Sequence, residues 1–261
     1  SRLQGRLAAA LQPAEDPEVP CAMAREAIAM ARTTGDDAIV AEVLVTAGAA
    51  LVDFAGLAER IALAEELHAR ATAANDGSKI LRARARLVVD FAERGDFAAS
   101  EAQLDRLLEL AAELGHPRFR WRSLVLSSMR AISRGDLDVS ERCLVEAEAL
   151  AGLTDDPASA ISLVAHRIQR SRLLHLDGEM RAYSPRMEAI VAGIPEAATV
   201  AAVLRSGLGT RLHDVEGVRR ELTRIEPRVS WVLEDPSFRG IVGEAAALAG
   251  TDEQRRRVRK W

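Results

Sequence analysis

The chain has 261 residues, of which 48% are hydrophobic but only 3% aromatic, and alanine and leucine dominate the apolar set. Such a composition packs helices closely and gives little material for sheets; the length suits one or two ordinary domains, or one array of about six helical hairpins. A net charge of −4, with both signs mixed along the chain, argues against general nucleic-acid affinity, and no apolar run approaches the ~20 residues of a spanning helix.

In chain order, residues 1–12 read as a short helix closed by Pro13 and the loop to Pro17, and 18–34 as a second, with Ala22, Ala27, Ile28 and Ala31 on one face. Apolar periodicity places further helices at 37–53, 57–74, 78–94, 97–114, 117–134 and 137–151. The same pattern continues at 157–176, 179–192, 197–212 and 215–225. Pro227 then breaks it, 230–233 reads as a short turn, 236–249 as another helix, and Thr251 as the cap of a last one. Proline just inside a start and glycine just past an end mark several of these boundaries.

One phrase organises the whole. Arg94, Gly95, Asp96 and Phe97 return forty positions later as Arg134, Gly135, Asp136 and Leu137, each time between two apolar-periodic runs. Glycine can end the first helix in a left-handed conformation, and aspartate can accept from the free amides that open the second. Leu57, Phe97 and Leu137 open successive second helices at steps of 40, and Gly35, Asn75 and Gly115 close others at the same step. Asp177, Gly178, Glu179 and Met180 read as a further copy of the turn at a step of 43, and His213, Asp214 and Val215 as one at 35. A self-similar unit of this size marks a helical solenoid, in which each hairpin is too small to bury its apolar face alone and must stack on its neighbours.

These residues resemble the tetratricopeptide repeat, a stacked pair of antiparallel helices of about 34 residues. The turn glycine, the acidic residue after it and the large apolar residue that opens the second helix are present. The aromatic near the end of the first helix is present as Phe54 or Phe91 but is Ala131 in the next unit, and the proline between repeats stands only at Pro117 and Pro157. The resemblance implies a single all-α domain over 1–261, a right-handed superhelix of about six to seven antiparallel hairpins. Three phrases are similar to the helical C-terminal regions of large bacterial ATPase regulators that accompany LuxR-type DNA-binding or adenylate-cyclase domains. They are Ala22 to Ala27 with Ala31 to Asp36, Ala58 to Arg60 continuing to Ala69 and Arg70, and Arg118 to Trp121. What that implies is a sensor or scaffold segment of a bacterial signalling or transcriptional regulator, not the ATPase itself.

Catalytic signatures are not evident. Gly207 and Gly209 give a GxG, but no strand precedes them and no Lys-Ser/Thr follows, so helix packing or a bend is expected in place of a phosphate loop. His68, His116, His166, His175 and His213 never form an i, i+4 pair, and Cys21 and Cys143 stand apart from any ligand cluster. No metal and no cofactor are expected, and the cysteine usage points to a reducing, cytoplasmic setting. Ser127 and Ser128 lack a nucleophile-elbow context and read as helix packing. Carboxylates such as Glu65, Glu66, Glu146 and Glu148 read as helix-face charges. Trp121, beside Phe119, reads as core filling; Tyr183 and Trp231 are the other singled-out aromatics. With no initiator methionine, and a basic run from Arg255 to Lys260 meeting the end at Trp261, the chain is expected to be part of a longer protein.

In such a superhelix the first helix of each hairpin lines the inner surface. Counting back from each turn assigns Glu42, Arg82, Arg122, Val125, Met129, Gln169, Arg172, His175 and Arg211 to it. Arg82 and Arg122 fall one repeat apart, and two guanidiniums on neighbouring helices can grip a carboxylate or phosphate. The competing reading is that each arginine bonds the acidic face of the next helix. The function expected is non-catalytic binding of a protein segment or small effector in the concave groove, with no direct nucleic-acid or membrane partner; the alternative is a structural spacer or self-association module.

Overall fold

A computed structural model describes all residues except 13, 15, 53, 152–156, 193–197, 235 and 261, with backbone alone at 157, 158, 161, 184, 188, 190–192, 231, 234, 236 and 237. The expected stop at Pro13, the terminal Trp261 and the side chain of Trp231 lie outside the described residues. The described residues form α-helices joined by short turns, with no strand among them.

The chain divides into two compact units, Ser1–Thr154 and Asp155–Trp261. The first holds α1 (Arg2–Leu11), α2 (Glu18–Arg32), α3 (Asp37–Leu51), α4 (Leu57–Ala73), α5 (Gly77–Glu93), α6 (Phe97–Leu114), α7 (Pro117–Arg134) and α8 (Leu137–Ala151). Each odd-numbered helix packs on the even one after it, the even one on the next odd one, and successive odd helices touch directly. The second unit holds α9 (Pro157–Leu173), α10 (Asp177–Ala192), α11 (Ala198–Arg211), α12 (Val215–Ile225), α13 (Val229–Glu234), α14 (Pro236–Ala249) and α15 (Asp252–Arg259). Its pairing is the same, with α9, α11 and α14 in the odd role and the short α13 inserted before α14. A 3-10 turn at Glu226–Arg228 precedes α13, where Pro227 interrupts the pattern. The stretch expected to be a mere turn at 230–233 is therefore helical. Pro236 lies two residues beyond α13 and ends it within two turns of helix, which explains why so short an element escaped the periodicity.

The turns are chemically uniform. Gly95, Gly135, His175 and His213 are all left-handed, and the amide of the next residue reaches back five positions: Asp96 to Phe91, Asp136 to Ala131, Leu176 to Ser171, Asp214 to Gly209. This is the Schellman closure of a helix end. It corrects the third turn, because the left-handed residue is His175 and not Gly178, which lies inside α10. The glycine at 178 misled the count; the hairpin turns step by 40, 40 and 38, not 40, 43 and 35. Between hairpins Gly35, Asn75 and Gly115 are left-handed at a step of 40, and Asn75 repeats the closure, with the Asp76 amide donating to the Ala71 carbonyl at 2.9 Å. Aspartates cap the helices that follow, Asp36 accepting from Ala38 and Ile39, Asp76 from Lys79, Asp96 from Ala99 and Asp214 from Gly217.

Within hairpins the helices meet through small or self-satisfying residues. Ser100 Oγ donates to the Val88 carbonyl at 2.7 Å, and Ser128 and Ser140 share a buried 2.8 Å hydrogen bond one repeat later. A Cβ at Gly207 would stand 2.9 Å from Ile241, and one at Gly209 2.9 Å from Val218, so the GxG is a close helix crossing. Leu81, Leu104, Leu107 and Leu126 form the centre of one core cluster; an alanine-rich cluster joins α1, α2 and α3 around Ile28, Leu44 and Leu51. Ion pairs repeat with the packing. The start of an even helix meets the end of the next odd one through Arg60 and Glu93 at 2.6 Å, Glu101 and Arg134 at 2.5 Å, and Asp177 and Arg211 at 2.9 Å. The first pair carries the opposite signs to the other two, so what recurs is the contact, not a residue motif.

Candidate binding site

In the first unit α3, α4, α5 and α7 enclose a cleft of about 200 Å³. Its existence follows from the sequence of α3, where Thr46, Ala47, Gly48, Ala49 and Ala50 offer almost no side-chain bulk. Ala47 is used against α1, where a Cβ on Gly5 would stand 3.2 Å from it, whereas a Cβ on Gly48 would meet nothing within 4 Å. Leu44, Val45, Leu63 and Leu67 complete an apolar floor. Around it stand Arg60 from α4, Arg82 and Arg86 from α5, and Arg122 from α7.

The four arginines differ in setting. Arg60, with its side chain only 10% exposed, donates to the Val52 carbonyl at 2.8 Å and pairs with Glu93 at 2.6 Å, its Nε lying 3.6 Å from Asp90. Arg86 grips the fully buried Asp90 with both prongs of its guanidinium, Nε at 2.8 Å from Oδ2 and Nη2 on Oδ1. Asp90 thus neutralises charge beneath the cleft and holds two arginines in place. Arg82 and Arg122 are solvent-exposed on the rim, at equivalent positions of adjacent odd helices.

Of the nine residues assigned to an inner surface from the sequence, this cleft gathers Arg82 and Arg122. Glu42 instead pairs with Arg2 at 2.8 Å and Arg6 at 3.5 Å. Val125 is buried in the core, and Met129, half-buried, packs against the cluster around Leu104 and Leu126. In the second unit Arg172 bonds Glu244 at 2.5 Å and Arg211 bonds Asp177 at 2.9 Å, the pairing with a neighbouring acidic face that competed with a ligand role. Gln169 is half-buried on α9. His175 is exposed, but as the left-handed turn residue it stands beyond the helix face to which counting had assigned it.

Arg60 and Arg86 were missed. Arg86 follows Arg82 at i+4, which places both on one face of α5, a signal obscured by the intervening Arg84, which bonds Gln103 on α6. Arg60 carries no such signal, because only the fold brings α4 against the end of α5. Among the described residues no group of His, Cys, Asp and Glu could hold a metal ion, and no helix is long and apolar enough to cross a membrane. Comparison with protein-family models and with curated proteins gave no match, so the geometry of the cleft carries the functional reading.

Proposed function

We propose that the chain is a non-catalytic binding module whose cleft between α3, α4, α5 and α7 takes a protein segment or small effector. The single observation that supports this is a concave apolar floor ringed by four arginines, the pattern of a mostly apolar site with a few oriented polar groups. Among the described residues the only titratable side chains that line it are guanidiniums, which do not exchange protons near neutral pH and cannot serve as general acid or base. The consecutive pairing of hairpins supports a tetratricopeptide-like right-handed superhelix. With the resemblance of its helical phrases, this makes the chain a sensor or scaffold segment of a bacterial signalling or transcriptional regulator, working in the cytoplasm.

The test is a paired screen. A displayed random-peptide library and a panel of organic acids, phosphate esters, sugars and alcohols are screened against the wild type, Gly48→Leu, which fills the cleft, and Arg82→Glu, which reverses charge at the rim. Ligands that bind the wild type and are lost in both variants, with circular dichroism unchanged, support the reading; if no ligand of either kind distinguishes wild type from variants, it is abandoned. A second reading, self-association, draws on Leu3, Leu7 and Leu11, which line one face of α1 and are 83%, 51% and 43% exposed. Light scattering that shows a strict monomer removes it.

A further inference from the structure

We infer that the cleft selects a small apolar carboxylate over a peptide, an assignment that rests on the binding reading above. Arginine offers five N–H donors and no acceptor. Every other described residue lining the cleft is leucine, valine, alanine or glycine, so no described lining side chain can accept a hydrogen bond. The carbonyl just past the end of α3, that of Val52, is already taken by Arg60 at 2.8 Å. A peptide laid into this space brings an N–H for almost every residue, and each one buried without an acceptor opposes binding. Sugars and alcohols bring hydroxyl donors with the same difficulty. A carboxylate brings acceptors alone.

Position and size narrow the class further. Arg82 and Arg122 stand on the rim of the cleft on neighbouring helices, and the planar fork of a guanidinium matches a carboxylate in two parallel bonds. A charged head at the exposed rim keeps part of its hydration while its hydrocarbon body reaches Val45, Leu63 and Leu67. The volume, about 200 Å³, is somewhat larger than the ~150 Å³ cavity that accommodates benzene. One ring or a short branched chain fills it; a long acyl chain does not.

Titration calorimetry on the 261-residue chain with 3-phenylpropionate and hexanoate tests this against 3-phenylpropanamide, hexanol and phenyl phosphate. Both carboxylates bind saturably, and the amide and alcohol, equal in bulk but donor-bearing and uncharged, bind about tenfold or more weaker. The double variant Arg82→Gln with Arg122→Gln removes that preference, and Gly48→Leu removes binding, each with unchanged circular dichroism. An amide that binds as tightly as its acid overturns the inference, and phenyl phosphate binding about tenfold tighter reassigns the site to phosphate esters. If the carboxylates fail but a displayed peptide binds the wild type and not Gly48→Leu, the inference falls and the binding reading stands; if neither binds, both fall.

Discussion

Removing the carboxylate of Asp90 is the sharpest test of how the cleft is built. Asp90 is fully buried, whereas the side chains of its partners Arg60 and Arg86 are 10% and 23% exposed. Deleting one member of a buried pair strands the other, at a cost of about 3–5 kcal/mol. Arg60 keeps Glu93 and the Val52 carbonyl, and Arg86 can turn toward the open cleft, so Asp90→Ala belongs near the lower end, about 3 kcal/mol. Asp90→Asn keeps the volume and one acceptor and costs less, about 1–2 kcal/mol. The double variant Asp90→Leu with Arg86→Met replaces the pair by apolar groups and recovers part of the loss, giving a coupling of about 1–3 kcal/mol in the double-mutant cycle. Because an array can unfold in stages, urea denaturation is to be paired with hydrogen exchange of the α5 amides. A loss below about 1 kcal/mol for Asp90→Ala, or a double variant no better than the sum of its singles, refutes the claim that this carboxylate organises the arginines.

The same substitution has opposite signs at two glycines: Gly48→Ala, in the interior of α3 with open space at its Cβ, raises stability by about 0.5–1 kcal/mol. Gly95→Ala, at φ +81°, lowers it by about 1–2 kcal/mol, and equal signs in a urea titration contradict the backbone assignments. His68 is held below the ordinary histidine range, first by burial and then by the charges of Arg84 and Arg106. The unfolded chain takes up that proton first, near pH 6.5, so stability present above about pH 6.5 declines as pH falls below it, and His68→Leu flattens unfolding free energy measured from pH 7.5 to 5. Arg134→Ala breaks an exposed pair with Glu101 and costs under about 1 kcal/mol, whereas Arg60→Ala, whose side chain is 10% exposed, exceeds it clearly in the same denaturation assay.

Much of the fold was legible because a helix advertises its buried face at short range. The boundaries of α6, α7, α8 and α14 follow from apolar spacing with a cap or proline at one end and a glycine at the other, and those of α12 from the Asp214 cap and Pro227. Where a turn residue was replaced, the reading slipped: His175 adopts the left-handed conformation usually left to glycine, and the nearby Gly178 attracted the assignment. The site was legible in part. Arg82 and Arg122 share a repeat register and could be paired by counting, but ion pairs such as Arg172 with Glu244 join residues 72 positions apart, and nothing local marks which arginines the fold brings to a cleft.

The repeat also explains why the cleft opens where it does. Gly48, Val52, Arg60 and Ala64 line it, and forty positions on Val88, Ala92, Ser100 and Leu104 line a hollow of about 120 Å³ between α5, α6 and α7. The two are the same place in successive hairpins. At the second, the side chain of Val88 occupies the position that Gly48 leaves open, Ser100 is spent on the Val88 carbonyl, and Arg130 is paired with Asp105. At the first, the small residues of α3 leave room, and Arg60 reaches across to α5 as well as bonding the Val52 carbonyl within its hairpin. Stacking demands only that each hairpin bury its share of apolar surface, so a repeat that forgoes bulk at one position loses packing there. In return the chain has an open, donor-lined space, and the search for function narrows to the repeat that departs from its neighbour.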